Sequence, residues 1–145
     1  SEENLTEMRL LLLLFATASV IVGMRIQGVS VTGTLLCGKE PAKGAKVRTV
    51  DLDTGPDPDD TLDEGVTDDK GHFKLSGTTR ELTPIDPILY IWHECNDAQT
   101  PCARKLRLEV PKKVIHGKDV AEKDWIDIGT INLEAKFDGE ARECI

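Results

Sequence analysis

Nine carboxylates crowd into nineteen consecutive positions near the middle of the chain, and they form its segment with the most evident chemistry. Because clustered carboxylates repel one another, a hard cation that prefers oxygen ligands, such as calcium, would relieve that repulsion. The alternative is a solvated loop whose Asp and Pro residues build turns and keep a sheet edge from aggregating. The candidate calcium ligands are Asp51, Asp53, Asp57, Asp59 and Asp60.

The EF-hand pattern for calcium does not fit this segment. Asp51 and Asp53 match its first two ligand positions, but Gly55 stands where a third oxygen donor belongs. Pro56 replaces the glycine of the sharp turn, and Leu62 replaces the closing glutamate. We therefore expect no cofactor other than calcium, and calcium only in another geometry.

Two groups of basic side chains offer a second kind of chemistry, the binding of anions. A lysine or arginine near an anionic membrane surface contributes about 1 kcal/mol to binding. A solvated strand face is the alternative for each group, and the sequence leaves open which group is the contact face. The candidate anion contacts are Lys39, Lys43, Lys46 and Arg48 around a predicted hairpin, and Arg104, Lys105 and Arg107 after two cysteines.

Catalytic chemistry is not indicated by the sequence. His72, His93 and His116 are scattered along the chain. No Ser, Cys or Thr stands beside a base in a recognisable nucleophile motif. We therefore expect a binding protein without catalytic residues.

Four cysteines, Cys37, Cys95, Cys102 and Cys144, allow three pairings into two disulfides. The short separation of Cys95 and Cys102 favours a local bridge between them, which leaves Cys37 with Cys144. That second bridge would close a loop of about 107 residues and stabilise the fold by roughly 4–5 kcal/mol in the entropic model. A zinc site is less favoured, because the spacing is not of the C-x2-C kind.

An apolar segment near the N-terminus predicts export. Thirteen uncharged, mostly apolar residues, Leu10 to Val22, follow Met8-Arg9, and small residues suited to cleavage lie at Ala16 to Ala18 and at Gly23. The run is shorter than the about 20 residues that a bilayer-spanning helix needs. We expect residues 1–23 to be an upstream extension and a cleaved signal peptide, and residues 24–145 to be one secreted, extracellular domain, where disulfides persist.

Net charge and aromatic content argue against two classes of binding partner. The formal net charge is −8, whereas a nucleic-acid-binding domain is normally basic. Aromatic residues make up 4% of the chain, which argues against a large aromatic ligand cage. Nucleic acid is therefore not an expected partner.

Short segments of alternating hydrophobicity dominate the rest of the chain. Val29, Val31 and Leu35 share one face of an extended run, and the apolar stretch 88–93 predicts a central strand buried on both faces. The apolar phase switches at Gly129, which predicts a β-bulge. Many short strands with turns between them predict an all-β fold, an antiparallel two-sheet sandwich with about seven strands and two disulfides.

The order of these motifs resembles the nematode transthyretin-like family of small secreted proteins. The resemblance spans Val29 to Cys144 and includes Val31-x-Gly33-x-Leu35-x-Cys37, Gly71-x-Phe73-x-Leu75-x-Gly77, Tyr90-x-x-His93-x-Cys95 and Ile131-Asn132-Leu133. It implies a transthyretin-like sandwich and the disulfide pairing given above.

The resemblance does not by itself fix the function, because one fold hosts many functions. One member type of that family is a secreted protein that recognises phosphatidylserine on apoptotic cells and bridges those cells to an engulfment receptor on phagocytes, and this sequence resembles that type. The resemblance accordingly implies two partners: an anionic phospholipid on cell surfaces, contacted peripherally with the two basic groups as candidate lipid contacts, and a cell-surface receptor. The alternatives are an extracellular carrier of small hydrophobic ligands and a receptor ligand without lipid contact.

Overall fold

A computed structural model describes residues 1–53, 59–98 and 100–145. One long helix, α1 (Glu2–Gly23), precedes the strands. Its leucines 10 to 14 are 56–65% exposed. Within the described part of the chain, no helix is both long enough and apolar enough to cross a membrane.

Nine strands follow in the described residues, and seven of them have six or more residues, which confirms the predicted all-β sandwich. Two short 3-10 helices, Lys112–Val114 and Glu122–Asp124, lie between the last long strands. The strands are β1 (Arg25–Cys37), β2 (Glu40–Pro41), β3 (Lys46–Asp51), β4 (Asp60–Val66), β5 (His72–Glu81), β6 (Pro87–His93), β7 (Ala103–Glu109), β8 (Trp125–Asn132) and β9 (Ala141–Glu143).

The strands form one four-stranded and one five-stranded sheet. In the first, β1 pairs with β2, β5 and β8, and in the second the order is β4-β3-β6-β7-β9. The β1–β8 pair is parallel, in contrast to the uniformly antiparallel pairing that the sequence predicts. Its register shifts between Thr32 and Thr34, where Ile128 and Gly129 face Gly33, so the bulge predicted at Gly129 is confirmed.

The core lies between the two sheets. Every second residue of β1 points into it, and the five-stranded sheet contributes the alternate residues of its central strands. Gly33 leaves the space that the bulge requires, because a Cβ there would come within 2.7 Å of Ile128 Cγ1 and 2.9 Å of Phe73 Cε1. The fully buried aliphatic residues in the described part of the chain are Val29, Val31, Leu35, Val47, Ile85, Leu89, Ile91, Leu106 and Leu133.

The disulfide pairing expected from sequence separation is wrong. The bridges join Cys37 to Cys95 and Cys102 to Cys144, with Cα–Cα distances of 5.7 Å and 4.3 Å. The pairing of β7 with β9 sets Ala103 opposite Glu143, and this register carries Cys102 to Cys144. Cys37 ends β1 and Cys95 follows β6, so the other bridge ties the two sheets together.

We predict that each bridge stabilises the fold to a similar degree. The bridges span 58 and 42 residues of sequence. In the entropic model, each corresponds to about 4 kcal/mol of free energy of unfolding. Urea unfolding of the double variants Cys37→Ser with Cys95→Ser, and Cys102→Ser with Cys144→Ser, measures the two losses separately.

Peptide mapping without reduction is the control for this prediction. A digest that yields a peptide bridged between positions 95 and 102 would contradict the pairing. Equal stability of wild type and both double variants would contradict the energetic argument.

Candidate functional site

The outer face of the five-stranded sheet gathers four basic residues around two aromatic rings. The register sets Lys46 and Lys105 on either side of Trp92, and Arg48 and Arg107 on either side of Tyr90. Two of the four cations come from each of the two groups in the sequence, so the groups that were treated as alternatives form one surface. We call it the basic face, and it consists of Lys46, Arg48, Tyr90, Trp92, Lys105 and Arg107.

The aromatic rings hold the cations in place. Lys105 Nζ lies 4.1 Å from the centre of the Tyr90 ring and 5.3 Å from that of Trp92. Lys46 Nζ and Arg48 Cζ lie 5.4 Å and 5.1 Å from the centre of the Trp92 ring. Cations at such distances are attracted to the ring quadrupole by about 0.5–1 kcal/mol or more. Although it belongs to an outer face, Trp92 is therefore only 3% exposed.

Carboxylates partly neutralise the basic face. Arg48 pairs with Glu64 at 2.9 Å, Lys105 with Glu143 at 2.6 Å and Arg107 with Glu109 at 3.2 Å. The hydrogen bonds that Lys105 and then Trp92 donate to Glu143 hold the pKa of that carboxyl below its usual range.

Lys46 differs from the other three cations, because it has no carboxylate partner among the described residues. An anion that approaches the basic face must therefore compete with carboxylates everywhere except at Lys46.

The remaining basic candidates lie outside this face. Lys39 is exposed in the turn after β1, and Lys43 is exposed and pairs with Asp69 at 2.8 Å.

Arg104 is only 7% exposed and is an internal structural residue rather than a lipid contact. Its guanidinium pairs with Glu140 and donates to the carbonyl oxygens of Cys95 at 2.7 Å, Leu133 at 3.0 Å and Ala135 at 2.9 Å. Neighbouring residues on a strand point to opposite faces, so Arg104 cannot share the surface of Lys105.

The acidic segment forms a cluster of four carboxylates that includes a residue not foreseen from the sequence. Carboxylate oxygens of Asp51, Asp53, Asp60 and Glu81 lie within 4.8 Å of one another. Glu81 ends β5 in the other sheet, thirty positions after Asp51, and the packing of the two sheets that brings it close has no local signal in the sequence. These four side chains could hold a hard cation such as calcium.

Asp59, another aspartate of the predicted calcium set, does not join the cluster. Asp59 Oδ1 instead accepts a hydrogen bond of 3.2 Å from the backbone N–H of Asp53. Asp57 lies outside the described residues.

Mutual repulsion marks this acidic cluster. Burial raises the pKa of Asp51, which is only 4% exposed, and the charges of Asp53, Asp86 and Asp60 raise it further. Desolvation raises the pKa of Glu81, and the charges of Asp51, Asp53 and Asp60 raise it further. The backbone N–H of Asp86 donates to Asp51 Oδ1 at 2.8 Å, which offsets part of the burial.

His93, at the end of β6, is a buried neutral imidazole. The backbone N–H of Cys95 donates to its Nδ1 at 3.0 Å, so the proton of the neutral ring is on Nε2. Desolvation, aided by the positive charge of Arg104, lowers the pKa of His93 to about 4. Nε2 has no hydrogen-bond partner among the described residues, which leaves a buried donor without an acceptor.

Ser30 and His116 form a serine–histidine contact that the sequence did not suggest. His116 Nδ1 donates to the Gly117 carbonyl at 2.8 Å, so Nε2 accepts from Ser30 Oγ at 2.7 Å. Ser30 is fully buried and also bonds Ser76 Oγ at 2.7 Å. In this conformation a substrate carbonyl has no access to Ser30 Oγ, and the contact fastens the segment after β7 onto β1.

Comparison with known proteins identifies the family of this chain. The model of the Transthyretin-like family (TTR-52) matches residues 32–111, which include every residue of the basic face and of the acidic cluster. The chain belongs to the Transthyretin-like family. The family expected from the motifs is thereby confirmed.

Curated relatives from Caenorhabditis elegans match nearly the whole chain. Transthyretin-like protein 46 is 47% identical over 138 residues, which cover 94% of this chain and 76% of that protein. Transthyretin-like protein 33 is 43% identical over 119 residues, with 82% of each chain covered. Transthyretin-like protein 5 is 41% identical over 137 residues, 94% of this chain and 96% of the relative.

We predict that His93 makes this transthyretin-like domain sensitive to acid. Below pH 6.5 the unfolded chain protonates His93, whereas the native protein resists protonation until about pH 4. The contribution of His93 to the free energy of unfolding is therefore fully present above pH 6.5. It falls by at most about 3 kcal/mol as the pH is lowered toward 4. Urea unfolding of wild type and His93→Asn across this range measures the loss.

His72→Asn is the control for this experiment, because His72 is exposed on β5. Identical pH profiles for wild type and His93→Asn between pH 6.5 and 4 would contradict the prediction.

We predict that Asp51→Asn stabilises the metal-free protein at pH 7. Asparagine keeps the acceptor for the Asp86 N–H but carries no charge, whereas native Asp51 resists ionisation. Because the pKa of Asp51 is raised in the native state, ionisation of this group destabilises the native protein relative to the unfolded chain. Below pH 3.8 the group is protonated in both states, so the stabilisation by asparagine should vanish there. Thermal unfolding at pH 7 tests the gain, and thermal unfolding at pH 3 tests its disappearance. Asp138→Asn, at an exposed position, is the control.

Proposed function

We propose that this protein is a secreted, non-enzymatic binding module that recognises phosphatidylserine on apoptotic cells and bridges them to an engulfment receptor on phagocytes. The observation that carries the proposal is the basic face, where the sheet register brings together cations from two separate parts of the sequence. A net acidic protein that concentrates cations on one face can orient that face toward an anionic membrane.

The energetics suit weak, reversible contact with a membrane. Four cations at about 1 kcal/mol each contribute at most about 4 kcal/mol, and three of them share their charge with a carboxylate. Arg48 and Arg107 present planar guanidinium groups that can bind a phosphate through two parallel hydrogen bonds. A headgroup phosphate would exchange with Glu64 and Glu109 rather than meet bare cations.

Bridging requires a second surface, and a two-layer sandwich supplies one. When the basic face lies on a membrane, the four-stranded sheet points away from the membrane. On that side, Lys74 Nζ lies 4.2 Å from the centre of the Trp125 ring. The proposal assigns the receptor contact to this opposite side of the sandwich.

Export is part of the proposal, and two observations support it. Two disulfides account for all cysteines, and such bonds persist in oxidising compartments. The leucines of α1 are exposed rather than packed in the core, as suits a segment that is removed from the mature protein. We propose that residues 1–23 are cleaved and that residues 24–145 function outside the cell.

Co-sedimentation with vesicles tests the lipid contact. The protein should sediment with vesicles that contain phosphatidylserine and not with vesicles of pure phosphatidylcholine, and binding should fall as salt is raised. Loss of three cations should weaken binding at least about tenfold, at about 1 kcal/mol each. The triple variant is Arg48→Gln, Lys105→Gln and Arg107→Gln.

A matched triple variant with the same change of net charge is the control. It removes three exposed lysines that lie outside the strands, with Lys118→Gln, Lys123→Gln and Lys136→Gln. Equal sedimentation with both kinds of vesicle, none with either, or equal weakening by the two triple variants would defeat the proposal.

A chelator separates the basic face from a calcium-mediated contact. The acidic cluster begins at Asp51, five residues along β3 from Lys46, which is roughly 16 Å at 3.3 Å per residue. Binding through the basic face should persist in EDTA. Binding that needs calcium and is abolished by Asp51→Asn would move the lipid contact to the acidic cluster.

A further inference from the structure

Strand β9 lies at the edge of the five-stranded sheet, beside the basic face, and we call residues 141–144 the strap. The backbone of the strap pairs with β7 over three residues. A disulfide from Cys144 to Cys102, the strap disulfide, fastens its end. Because three residues pair few backbone groups, the strap disulfide is the main attachment of this strand to the sheet.

The strap covers part of the basic face through Glu143. This carboxylate pairs with Lys105 Nζ at 2.6 Å and accepts a hydrogen bond of 3.1 Å from the indole N–H of Trp92. The side chain of Lys105 is 22% exposed, against 30% for Arg48 and 41% for Arg107, so it is the most covered of the three paired cations. An anion that approaches the basic face therefore meets Lys105 behind a carboxylate.

The two disulfides differ in their exposure to solvent. Cys144 of the strap disulfide is exposed and Cys102 is half-buried. In the other bridge, Cys37 is half-buried, and Cys95 is only 8% exposed and packs in the core. A thiolate from another molecule can therefore attack a sulfur of the strap disulfide more readily than either sulfur of the other bridge.

The backbone beside the strap disulfide is strained. Cys102 has a φ of 66°, and Ala98, four residues earlier, has a φ of 46°. Residues with a side chain rarely occupy this left-handed region, apart from asparagine and aspartate. Opening of the disulfide frees Cys102 to leave this conformation, so relief of strain accompanies release of the strap.

We propose that the strap disulfide is a redox switch, and that its reduction by a protein dithiol releases the strap and uncovers Lys105 and Trp92 for anion binding. The consequence for lipid binding rests on the proposed function. Release of the strap does not, because it can be measured without any lipid.

Thiol–disulfide exchange accounts for the reaction. One thiolate of the dithiol attacks Cys144 Sγ, forms a mixed disulfide and expels the thiolate of Cys102. The second thiolate of the dithiol then attacks its own sulfur partner in the mixed disulfide and expels the thiolate of Cys144. The two protons that the dithiol loses to water are replaced from water on the two cysteines. Two electrons pass to the protein, and the dithiol becomes a disulfide.

A time course of reduction with dithiothreitol tests the selectivity. Alkylation of new thiols with iodoacetamide, followed by peptide mass mapping, shows which bridge opens first. Cys102 and Cys144 should be labelled at least about tenfold faster than Cys37 and Cys95, because an exposed sulfur is open to attack. Equal rates for the two bridges, or faster labelling of Cys37 and Cys95, would overturn the switch.

Tryptophan fluorescence tests the release of the strap. The chain has two tryptophans, so Trp125→Phe leaves Trp92 as the sole reporter. Trp92 is only 3% exposed while Glu143 contacts its ring. In this background, selective reduction and alkylation of Cys102 and Cys144 should shift the emission to longer wavelength and increase quenching by acrylamide, while the circular dichroism of the sandwich is retained. Unchanged emission and quenching would overturn release of the strap.

Vesicles that contain phosphatidylserine test the consequence for binding. The protein with the strap disulfide reduced and alkylated should bind them about fivefold more tightly, which is the contribution of one additional cation. Glu143→Gln, which keeps the disulfide but removes the covering charge, should show a similar gain. Glu122→Gln makes the same change of net charge at an exposed position outside the basic face and is the control, with a much smaller gain expected.

The outcomes separate this inference from the proposed function. If reduction exposes Trp92 but neither form of the protein sediments with the vesicles, the proposed function alone is overturned. If the protein binds the vesicles with an affinity that neither reduction nor Glu143→Gln changes, this inference alone is overturned. If the reduced protein does not stay folded, Glu143→Gln decides, and equal binding by Glu143→Gln and Glu122→Gln overturns the covering role of the strap.

Discussion

The two-residue periodicity of β6 is the constraint on which the rest of the molecule depends. This strand lies at the centre of the five-stranded sheet, and all of its residues except the half-buried Tyr90 are buried. Leu89 and Ile91 point inward and are fully buried between the sheets. Tyr90 and Trp92 point outward, where flanking strands place cations against their rings. A slip of one residue would exchange the two sets and destroy the core and the basic face together.

Positive and negative charges are separated along the length of β3. Lys46 and Arg48 occupy one end of the strand and contact aromatic rings, whereas Asp51 ends the strand within the acidic cluster. Formal net charge, −8 for the whole chain, averages over this separation and conceals it. Surfaces of opposite sign at the two ends of one strand explain how an acidic protein can still present a cationic contact.

Features set by local alternation could be predicted from the sequence, and features set by long-range register could not. The strands, the two-sheet sandwich and the bulge at Gly129 follow from the apolar pattern of short segments. The disulfide pairing depends on β9, whose three residues are too few to show an alternating pattern in the sequence. The prediction therefore paired the two cysteines that are closest in sequence. Tertiary packing places Glu81 in the acidic cluster. Strand alternation places Arg104 on the inner side of β7 rather than on the basic face.

Trp92 joins the strands that carry the basic face. Lys46 and Arg48 from β3 and Lys105 from β7 lie within 5.4 Å of the centre of its ring, and its indole N–H donates to Glu143 of β9 at 3.1 Å. One side chain of β6 therefore contacts β3, β7 and β9 on the outer face. The positions of the cations are set by strand register rather than by a mobile element.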